Sequence, residues 1–446
     1  MPTEIHRQVR ERLHASPGGR VAVRLAAAAD AFRTAAPAVA VIDAEGPLAV
    51  GTPDEIGRLD APVIELPGHV ALPPLVNAHA HLDLTSVGPL PFDGSFAAWA
   101  SEVRARRPAT ADAVAAAVRE GVRRAVEGGT GLIGDIAGRF GLDALGALRD
   151  EAPRYGLRGV AYVEAFGIGS ATANGVAFFR SLRGKAADEA GGIRLGASPH
   201  APYSCGDETY AAAAASGLPV ATHLAETLEE ERFVHGCSGP LADLLREVGA
   251  WTPELRGWNV DPVRRILPLL RGTGAAVVHL NYVTDGALAA LAAEAKGDRP
   301  PVVVYCPRAS AYFRHPDAGR GPHRYREMLA AGIPVALGTD SAIVLGNAPT
   351  ISVLDEMRFL HRRDGVDPTL LLAMATSHGA RALGESTVPV TLPSGSVRTA
   401  RALIAVDAAE GRGSAVSDLL GEVLRSDAPC RWLWPPGSAW GQTAEA

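Results

Sequence analysis

The chain has 446 residues, of which 47% are hydrophobic and 21% charged, and this composition is typical of a globular protein. Its formal charge of −6, without a dense basic cluster, argues against a nucleic-acid-binding protein. The charged N-terminal segment lacks the apolar core of a signal peptide, and no apolar run approaches the ~18 residues that span a bilayer. We therefore expect a cytoplasmic protein with no nucleic-acid or membrane partner, whose four scattered cysteines are reduced.

Both flanks of the chain are predicted to be rich in short strands. Between residues 20 and 70 the apolar runs RVAVRL, AVAVID, GPLAVG and VIELPG alternate with turn residues. The C-terminal flank has the same pattern of short apolar runs, in VPVTLP, ARALIAVD and CRWLWP. We expect residues 1–70 and 384–446 to pair into one small β-sandwich domain, with the first 19 residues as an extension of no assigned role.

Residues 71–383 alternate apolar runs with amphipathic segments. Segment 111–129 places apolar residues at i, i+3 and i+4, which predicts a helix, and several such segments end at a glycine. The apolar runs are LVNAH (75–79), GLIGDIA (131–137), GVAYVEAF (159–166), IRLGASPH (193–200), PVATHLAE (219–226), AAVVHLNY (275–282), PVVVYCP (301–307) and IPVALGTDS (333–341).

These eight runs are apolar on both faces, which predicts parallel strands covered by helices. Eight strands close a (β/α)₈ barrel, and about 310 residues suit such a barrel with insertions. The alternative is a doubly wound open sheet, but the Gly-rich phosphate turn typical of that fold does not follow the first run. The predicted fold is therefore α/β, with a TIM-like barrel and a β-sandwich built from the flanks.

Histidines and one aspartate end several predicted strands. His79 and His81 point the same way in an extended chain, because residues i and i+2 share a face. The carboxyl ends of barrel strands meet at one mouth, so these side chains are expected to converge. The residues that mark the strand ends are His79, His81, His200, His223, His279 and Asp340.

We predict a metal site formed by His79, His81, His223 and Asp340. Three imidazoles and one carboxylate suit a divalent ion, with Zn²⁺ preferred and Fe²⁺ as the alternative. Thiolate ligands are not expected, because the cysteines are not clustered. Such an ion would lower the pKa of a bound water toward ~7.

Three further residues receive predicted roles beside that site. Glu226 in HLAE is expected to transfer protons, although a carboxylate interacting with a helix dipole is the alternative, since ETLEEE begins there. His279 in VVHLNY is expected to orient the attacking water, with a fifth metal ligand as the alternative. His200 in SPHAPYSCG is expected to donate a hydrogen bond to the substrate, or else to be a loop histidine held by the backbone.

Six segments in order carry a family resemblance: PPLVNAHAHLD, SPHAPYS, THLAETLEE, VVHLNY, CPRAS and ALGTDS. The chain resembles the amidohydrolase superfamily, in its cytosine/adenosine deaminase-like and chlorohydrolase-like branch. The resemblance implies a hydrolase of carbon–nitrogen bonds other than peptide bonds, with the same residues in the roles given above. Binuclear relatives bridge two metals with a modified lysine after a mid-barrel strand. The third and fourth predicted strands neither contain nor end in lysine, so one metal ion is expected.

The chain departs from the family pattern near the predicted substrate. Relatives often have CP-x-S-N after the seventh strand, where this chain has CPRAS at 306–310. Arg308 is expected to meet an anionic or carbonyl group of the substrate, with a structural salt bridge as the alternative. Nucleoside deaminases carry an acid for ribose hydroxyls after the HxH motif, and Asp83 or Asp93 is expected in that role. VRTARALIAVD replaces the usual lysine–aspartate phrase of the C-terminal flank.

The leading hypothesis is a metal-dependent deaminase of an amino-substituted heterocycle, most plausibly a purine nucleoside-like small molecule. In that reaction Asp340 would accept the remaining proton while protonated Glu226 helps ammonia leave. Guanine-type and triazine-type substrates stay open, and the second enzymatic hypothesis is a cyclic-amide hydrolase similar to imidazolonepropionases. A non-catalytic barrel that binds a ligand or serves in an assembly is disfavoured, because every predicted ligand and proton-transfer residue is present. The sequence leaves a homodimer open.

Overall fold

The computed structural model describes residues 4–138, 140–185, 188–317, 319–394, 402–408 and 415–436. In this part of the chain the strands are β1 (Arg20–Ala29), β2 (Thr34–Ala35), β3 (Ala38–Asp43), β4 (Gly46–Gly51), β5 (Val63–Leu72), β6 (Leu75–His81), β7 (Thr130–Ala137), β8 (Arg158–Ala165), β9 (Glu189–Ala190), β10 (Ile193–Pro199), β11 (Ala221–Leu224), β12 (Ala276–His279), β13 (Val302–Tyr305), β14 (Val335–Leu337), β15 (Asp340–Ser341), β16 (Leu403–Asp407) and β17 (Arg431–Trp434).

The α-helices of the same residues are α1 (Glu4–His14), α2 (Pro53–Ile56), α3 (Phe96–Arg106), α4 (Ala111–Glu127), α5 (Gly141–Tyr155), α6 (Thr172–Ser181), α7 (Asp207–Ala214), α8 (Leu228–Gly236), α9 (Pro240–Glu247), α10 (Pro262–Ile266), α11 (Asp285–Glu294), α12 (Pro307–Tyr312), α13 (Tyr325–Ala330), α14 (Val353–Asp364), α15 (Pro368–Met374), α16 (Ser377–Ala382) and α17 (Val416–Arg425). Short 3₁₀ helices cover Leu82–Val87, Gly169–Ala171, Leu267–Leu270, Ala342–Leu345 and Val388–Val390.

Parallel strands between the flanks form a TIM-barrel-like arrangement. One sheet has the order β15-β6-β7-β8-β10-β9, and a second has the order β11-β12-β13-β14. These pairs are parallel except for the short β9, and a parallel bridge from Ala197 to Val220 connects the two sheets. The first and last strands of this region meet, since Asp340 of β15 lies opposite Ala80 of β6. The carboxyl ends of the strands therefore share one side.

Helix α4 illustrates how sequence pattern becomes packing. Thr110 caps its first turn by accepting a hydrogen bond from the backbone of Ala113, and the helix ends at Gly128. The buried face includes Val114, Val118 and Val122, which are spaced by four residues and so lie on one side. Burial of this stripe against the neighbouring strands explains why the predicted helix forms here.

The two flanks meet in one seven-stranded sheet with the order β17-β16-β5-β1-β3-β4, to which β2 adds beside β1. The antiparallel pair β5–β16 joins the flanks within this sheet, and helix α1 also packs against β17. Among the described residues the flanks contribute this one sheet, and the two-layer sandwich stays a prediction, as do the domain bounds. Strand β5 runs across the boundary expected at residue 70. Residues 395–401 and 409–414, within the predicted C-terminal flank, lie outside the described residues.

Some flank elements differ from the sequence-based expectations. VPVTLP was expected to be strand-like, but Val388–Val390 is a 3₁₀ helix, and its prolines cannot donate to a strand ladder. The N-terminal extension contains helix α1, whose Ile5, Val9 and Leu13 are buried in the core of the flank sheet. All four cysteines are free thiols. No helix among the described residues has the length and apolar character that crossing a membrane requires.

Candidate active site

The predicted metal ligands lie together near the carboxyl ends of β6 and β11 and at the start of β15. The Nε2 atoms of His81 and His223 are 3.2 Å apart, and His81 Nε2 lies 3.6 Å from Asp340 Oδ1. The ring centre of His79 is 4.9 Å from that of His81 and 5.0 Å from that of His223. The structure thus brings residues from the first, fifth and last barrel strands into one cluster.

Hydrogen bonds between β6 and the segment before β15 hold two ligand-bearing strands in register. Asn77 Nδ2 donates to Thr339 Oγ1 at 2.8 Å, and the Thr339 amide lies 3.1 Å from Asn77 Oδ1. Gly338 permits this close approach, since a Cβ there would lie 2.8 Å from the Cβ of His79. The Asn77–Thr339 pair therefore fixes the separation between the histidine pair and Asp340.

The orientation of His223 is set by a backbone carbonyl. His223 Nδ1 lies 3.1 Å from the carbonyl oxygen of His200, which also accepts the His223 amide at 2.9 Å. Because a carbonyl only accepts, Nδ1 carries the proton and Nε2 keeps its lone pair. This arrangement of a second contact behind a metal-binding imidazole is common in metal sites.

The donor set fits a divalent metal ion. His79 is buried, and neither of its ring nitrogens has a hydrogen-bond partner among the described residues. Ligand atoms of His79, His81 and Asp340 all lie within 4.8 Å of one another. Burial, followed by the neighbouring imidazoles, lowers the pKa of His79 well below its usual value, which keeps the ring neutral. A buried, neutral imidazole without a partner is the state that a metal ion satisfies.

Glu226 lies in the turn between β11 and α8, one residue before the Thr227 cap of that helix. Its backbone amide donates to Glu230 Oε2 at 3.1 Å, and the Ala225 amide donates to Glu230 Oε1 at 2.8 Å. Asn281 Nδ2 donates to the Glu226 carbonyl at 3.0 Å. These bonds fix the backbone of the turn, and the Glu226 side chain lines the cavity, so the geometry favours the proton-transfer hypothesis over the helix-dipole alternative.

His279 and Glu226 face each other across 3.5 Å, measured from Nε2 to Oε1. Burial, followed by Asp340 and Glu230, raises the pKa of Glu226 well above its usual value. Burial raises the pKa of Asp340 to about 7. His323 Nε2 lies 2.8 Å from the His279 carbonyl and holds that backbone in place. Two carboxyl groups with raised pKa values therefore lie beside one imidazole.

The cluster forms the floor of a cavity of about 880 Å³. Apolar side chains make up most of its wall, including Phe96, Trp99, Val103, Leu241 and Leu245. Among the large apolar side chains that the described residues leave exposed, four also line this cavity: Phe140, Leu142, Phe166 and Val248. The site therefore suits a mostly uncharged small molecule that reaches out to an apolar mouth.

The residues predicted to bind substrate have different positions. His200 lines the cavity, with Nδ1 at 2.6 Å from Ser204 Oγ. Asp83 is buried outside the lining and lies 3.1 Å from Arg107 Nη2, measured from Oδ2. Asp93 is exposed and accepts from the Ser95 amide at 3.2 Å.

Arg308 also lies outside the cavity lining, contrary to its expected contact with substrate. Its Nε atom donates to Glu356 Oε1 at 2.6 Å, and Nη2 donates to the Ser352 carbonyl at 3.1 Å. Glu356 is fully buried, so it needs this cation as a partner. The geometry favours the structural salt bridge, the alternative left open by the sequence.

Sequence reasoning missed four polar residues that support or line the site: Asn77, Arg107, Glu164 and Glu230. Asn77 stands in the NAHAHLD motif and Glu230 in ETLEEE, so both were visible as motif neighbours of ligands. Glu164 lies two residues before the end of the predicted strand at 159–166, which was a usable signal. Arg107 lies in RARRP, and its pairing with Asp83 depends on tertiary structure.

Comparisons with known proteins agree with this geometry. A model of the amidohydrolase family matches residues 70–388. The aminodeoxyfutalosine deaminase of Deinococcus radiodurans is 31% identical over 378 residues, which cover 79% of this chain and 82% of the relative. Helicobacter pylori aminofutalosine deaminase, solved with methylthio-coformycin, gives a TM-score of 0.70 at 19% identity, over 92% of this chain and 97% of the other. A Xanthomonas campestris adenosine deaminase with bound zinc gives 0.68 at 17% identity, over 96% and 94%.

Proposed function

Because this chain belongs to the amidohydrolase family and hydrolyses carbon–nitrogen bonds, we propose that it removes ammonia from the adenine ring of a nucleoside. The observation that carries the proposal is the buried cluster of three histidines and one aspartate, with Glu226 beside it, at the floor of an apolar cavity. The D. radiodurans relative makes aminodeoxyfutalosine the first substrate to try. Other adenine nucleosides with a modified 5′ position come next.

We propose that the cluster holds one zinc ion through His79, His81, His223 and Asp340. Support comes from the unpartnered nitrogens of His79 and from the lone pair that His223 Nε2 keeps because Nδ1 faces the His200 carbonyl. Zinc bound there would supply the Lewis acidity that lowers the pKa of a water molecule. The absence of lysine from β7, β8, β10 and β11 favours one ion over a lysine-bridged pair.

The chain's own residues carry the proton transfers. Glu226 accepts a proton from the attacking water at its carboxyl group and later delivers it to the departing amine. Asp340 accepts the second proton of that water and returns it to the ring nitrogen beside the attacked carbon. The water oxygen thereby becomes the carbonyl oxygen of the product, the carbon–nitrogen bond breaks and ammonia leaves. His279 holds the water in line through Nε2, at 3.5 Å from Glu226 Oε1.

The cavity wall supports a neutral ring with an extended substituent. An adenine nucleoside fills only part of the cavity of about 880 Å³. The exposed side chains of Phe166 and Val248 also line this cavity. Burying an apolar group against such side chains favours binding by about 25 cal/mol per Å². This is the expected location of a group attached to the 5′ carbon of the sugar.

A panel of substrates tests the proposal. Purified zinc-loaded protein is incubated with aminodeoxyfutalosine, 5′-methylthioadenosine, S-adenosylhomocysteine, 5′-deoxyadenosine, adenosine, guanine and cyclic amides, and ammonia and new carboxylate are measured. Ammonia from at least one adenine nucleoside is the expected result. Carboxylate from a cyclic amide, without ammonia from any amino-heterocycle, would replace the deaminase proposal with the imidazolonepropionase-like hypothesis.

We also propose three properties at the level of the whole chain. The two parallel sheets close into one barrel, supported by the β15–β6 pair and the Ala197–Val220 bridge. The free thiols support a cytoplasmic location. A homodimer stays a prediction from the sequence. Size-exclusion chromatography with light scattering gives the molar mass in solution, which distinguishes a monomer from a dimer.

A further inference from the structure

Glu164 is an acid that faces the cavity and has no role in the reaction described above. Glu164 is the penultimate residue of β8, and its side chain lines the cavity together with His200. That side chain is 6% exposed, and its Oε1 atom has no hydrogen-bond partner among the described residues. Buried polar atoms nearly always have a partner, so this oxygen points to a ligand group that belongs beside it.

The nearby cation already has a partner. Arg107 Nη2 lies 3.1 Å from Asp83 Oδ2, so the guanidinium is held by a different acid. Gly138 leaves room for the Arg107 guanidinium, since a Cβ atom at position 138 would lie 2.5 Å from Arg107 Nη2 and 3.5 Å from Glu164 Oε2. Burial raises the pKa of Glu164 to about 8; the nearby Arg107 charge lowers it in part, and Asp83 raises it. The carboxyl is thus available for hydrogen bonding as a neutral acid.

The gap between Glu164 and His200 has the size of one bridging atom. His200 Nε2 and Glu164 Oε1 are 3.9 Å apart, beyond the range of a direct hydrogen bond. An oxygen atom between them can reach both at ordinary distances. A hydroxyl group donates to one and accepts from the other, whichever of the two carries a proton, whereas an unprotonated ring nitrogen only accepts. The gap therefore selects for a hydroxyl.

We propose that Glu164 is a specificity-determining residue which, together with His200, binds a hydroxyl group of the substrate's sugar. An adenine ring has no hydroxyl, so within an adenine nucleoside the sugar must supply it. This inference rests on the proposed deaminase function and adds to it a requirement for a hydroxylated sugar.

A metal ion is the competing occupant of the same position. Ligand atoms of Glu164, His200 and His223 all lie within 4.8 Å of one another. The two occupants make different demands on Glu164, because a metal ion needs a carboxylate whereas a hydroxyl also accepts an amide partner. Metal content and substrate selectivity of the same variants therefore separate them.

The experiment compares two substitutions with a matched control. Glu164→Gln keeps the hydrogen-bonding groups, and Glu164→Met removes them at similar volume. The control is Glu151→Gln, since Glu151 is equally a buried acid but pairs with Arg154 at 3.3 Å and lies outside the cavity lining. Values of kcat and KM are measured for adenosine, 2′-deoxyadenosine and 3′-deoxyadenosine, and dissociation constants for inosine and its deoxy forms by calorimetry.

We expect the wild-type protein to prefer adenosine over one deoxy analogue by about 10- to 100-fold in kcat/KM, mostly through KM. Glu164→Met should abolish that preference, Glu164→Gln should keep most of it, and Glu151→Gln should match the wild type. The calorimetric constants should follow the same order. Should Glu164→Met fail to fold, Glu164→Ala makes the same comparison.

Two results would overturn the inference. The first is that the ratio of kcat/KM for adenosine to that for each deoxy analogue is the same in the wild type and in Glu164→Met. The second is that Glu164→Gln loses one equivalent of metal. A wild-type protein that deaminates no adenine nucleoside would instead contradict the proposed function, and the sugar-binding role would be lost with it.

Discussion

Single residues of the candidate site owe their chemistry to burial. His79, His223 and His279 are buried, and burial lowers the pKa of each, to about 4 for His223. Neutral rings at physiological pH keep lone pairs available for a metal ion. The same burial raises the pKa values of Glu226 and Asp340, so acids and imidazoles shift toward their neutral forms.

Replacing His79 and His81 with alanine should abolish metal retention. The two rings supply half of the proposed ligands, and a site left with one imidazole and one carboxylate is expected to release its ion. Metal content after dialysis, measured by elemental analysis, checks this. His235→Ala is the control, because His235 is exposed on α8. One equivalent of metal remaining in the double variant would show that the ligand assignment is wrong.

Glu226→Gln should retain the metal and lose most turnover. An amide cannot transfer the proton, and general acid–base catalysis contributes about 10²–10⁴-fold. The measurement is kcat for the best substrate of the panel, with metal content determined on the same sample. Glu231→Gln on α8 serves as the control, since Glu231 lies 3.3 Å from Arg320 and outside the cavity lining. Near-normal turnover in Glu226→Gln would return this residue to a structural role.

At the scale of elements, the ends of the barrel strands hold unusual backbone conformations. Ala225, His279 and Asp340 all have positive φ angles, of 50°, 75° and 60°. Side chains other than glycine rarely adopt this region, and such residues cluster at functional sites. Ala225 directly follows β11, His279 ends β12 and Asp340 begins β15. Tight turns of this kind aim the side chains at the cavity.

Strand β7 contains a buried acid that makes stability depend on pH. Asp135 Oδ1 accepts the Leu82 amide at 2.8 Å, and Oδ2 has no partner among the described residues. Burial raises the pKa of Asp135 to about 8, against about 3.9 in an unfolded chain. Between those values the folded state holds one more proton than the unfolded state. The contribution of Asp135 to stability therefore falls as the pH rises through this window.

Asp135→Asn should remove the decrease in stability that deprotonation of Asp135 causes as the pH rises. The variant keeps an acceptor for Leu82, so its free energy of unfolding should rise relative to the wild type by at least about 1 kcal/mol between pH ~5 and ~8. Urea unfolding at several pH values measures the difference. Asp150→Asn, on the exposed face of α5, is the control. Parallel stability curves for wild type and Asp135→Asn would contradict the prediction.

At the scale of the whole molecule, the apolar mouth of the cavity should select substrates by their 5′ substituent. Phe166→Ser should raise KM for 5′-methylthioadenosine by about 10-fold, because buried apolar contact is lost, and leave KM for adenosine nearly unchanged. Phe32→Ser is the control. Both side chains are exposed, Phe32 to 64% and Phe166 to 49%, but only Phe166 lines the cavity. An equal rise in KM for both nucleosides would contradict a separate subsite.

The sequence predicted features that depend on local pattern. The spacing of His79 and His81, the apolar runs and the helix of segment 111–129 all follow from periodicities of two or 3.6 residues. The positions of Asp83 and Arg308 could not be predicted in this way. Arg107 and Glu356, which hold them, come from distant parts of the chain, and a one-dimensional pattern does not encode those contacts. For the same reason the partnerless oxygen of Glu164 was visible only in three dimensions.

The pair formed by Asn77 and Thr339 has a consequence for biosynthesis. The two residues are 262 positions apart in the chain, yet their bond sets the distance between the histidine pair and Asp340. During translation the nascent chain displays His79 and His81 long before Asp340 is made, so early metal capture could involve only an incomplete set of ligands. Loop closure over such a separation is slow and entropically costly. Metal loading should therefore be among the last events of maturation, and uptake of the metal ion would report that the first and last barrel strands have met.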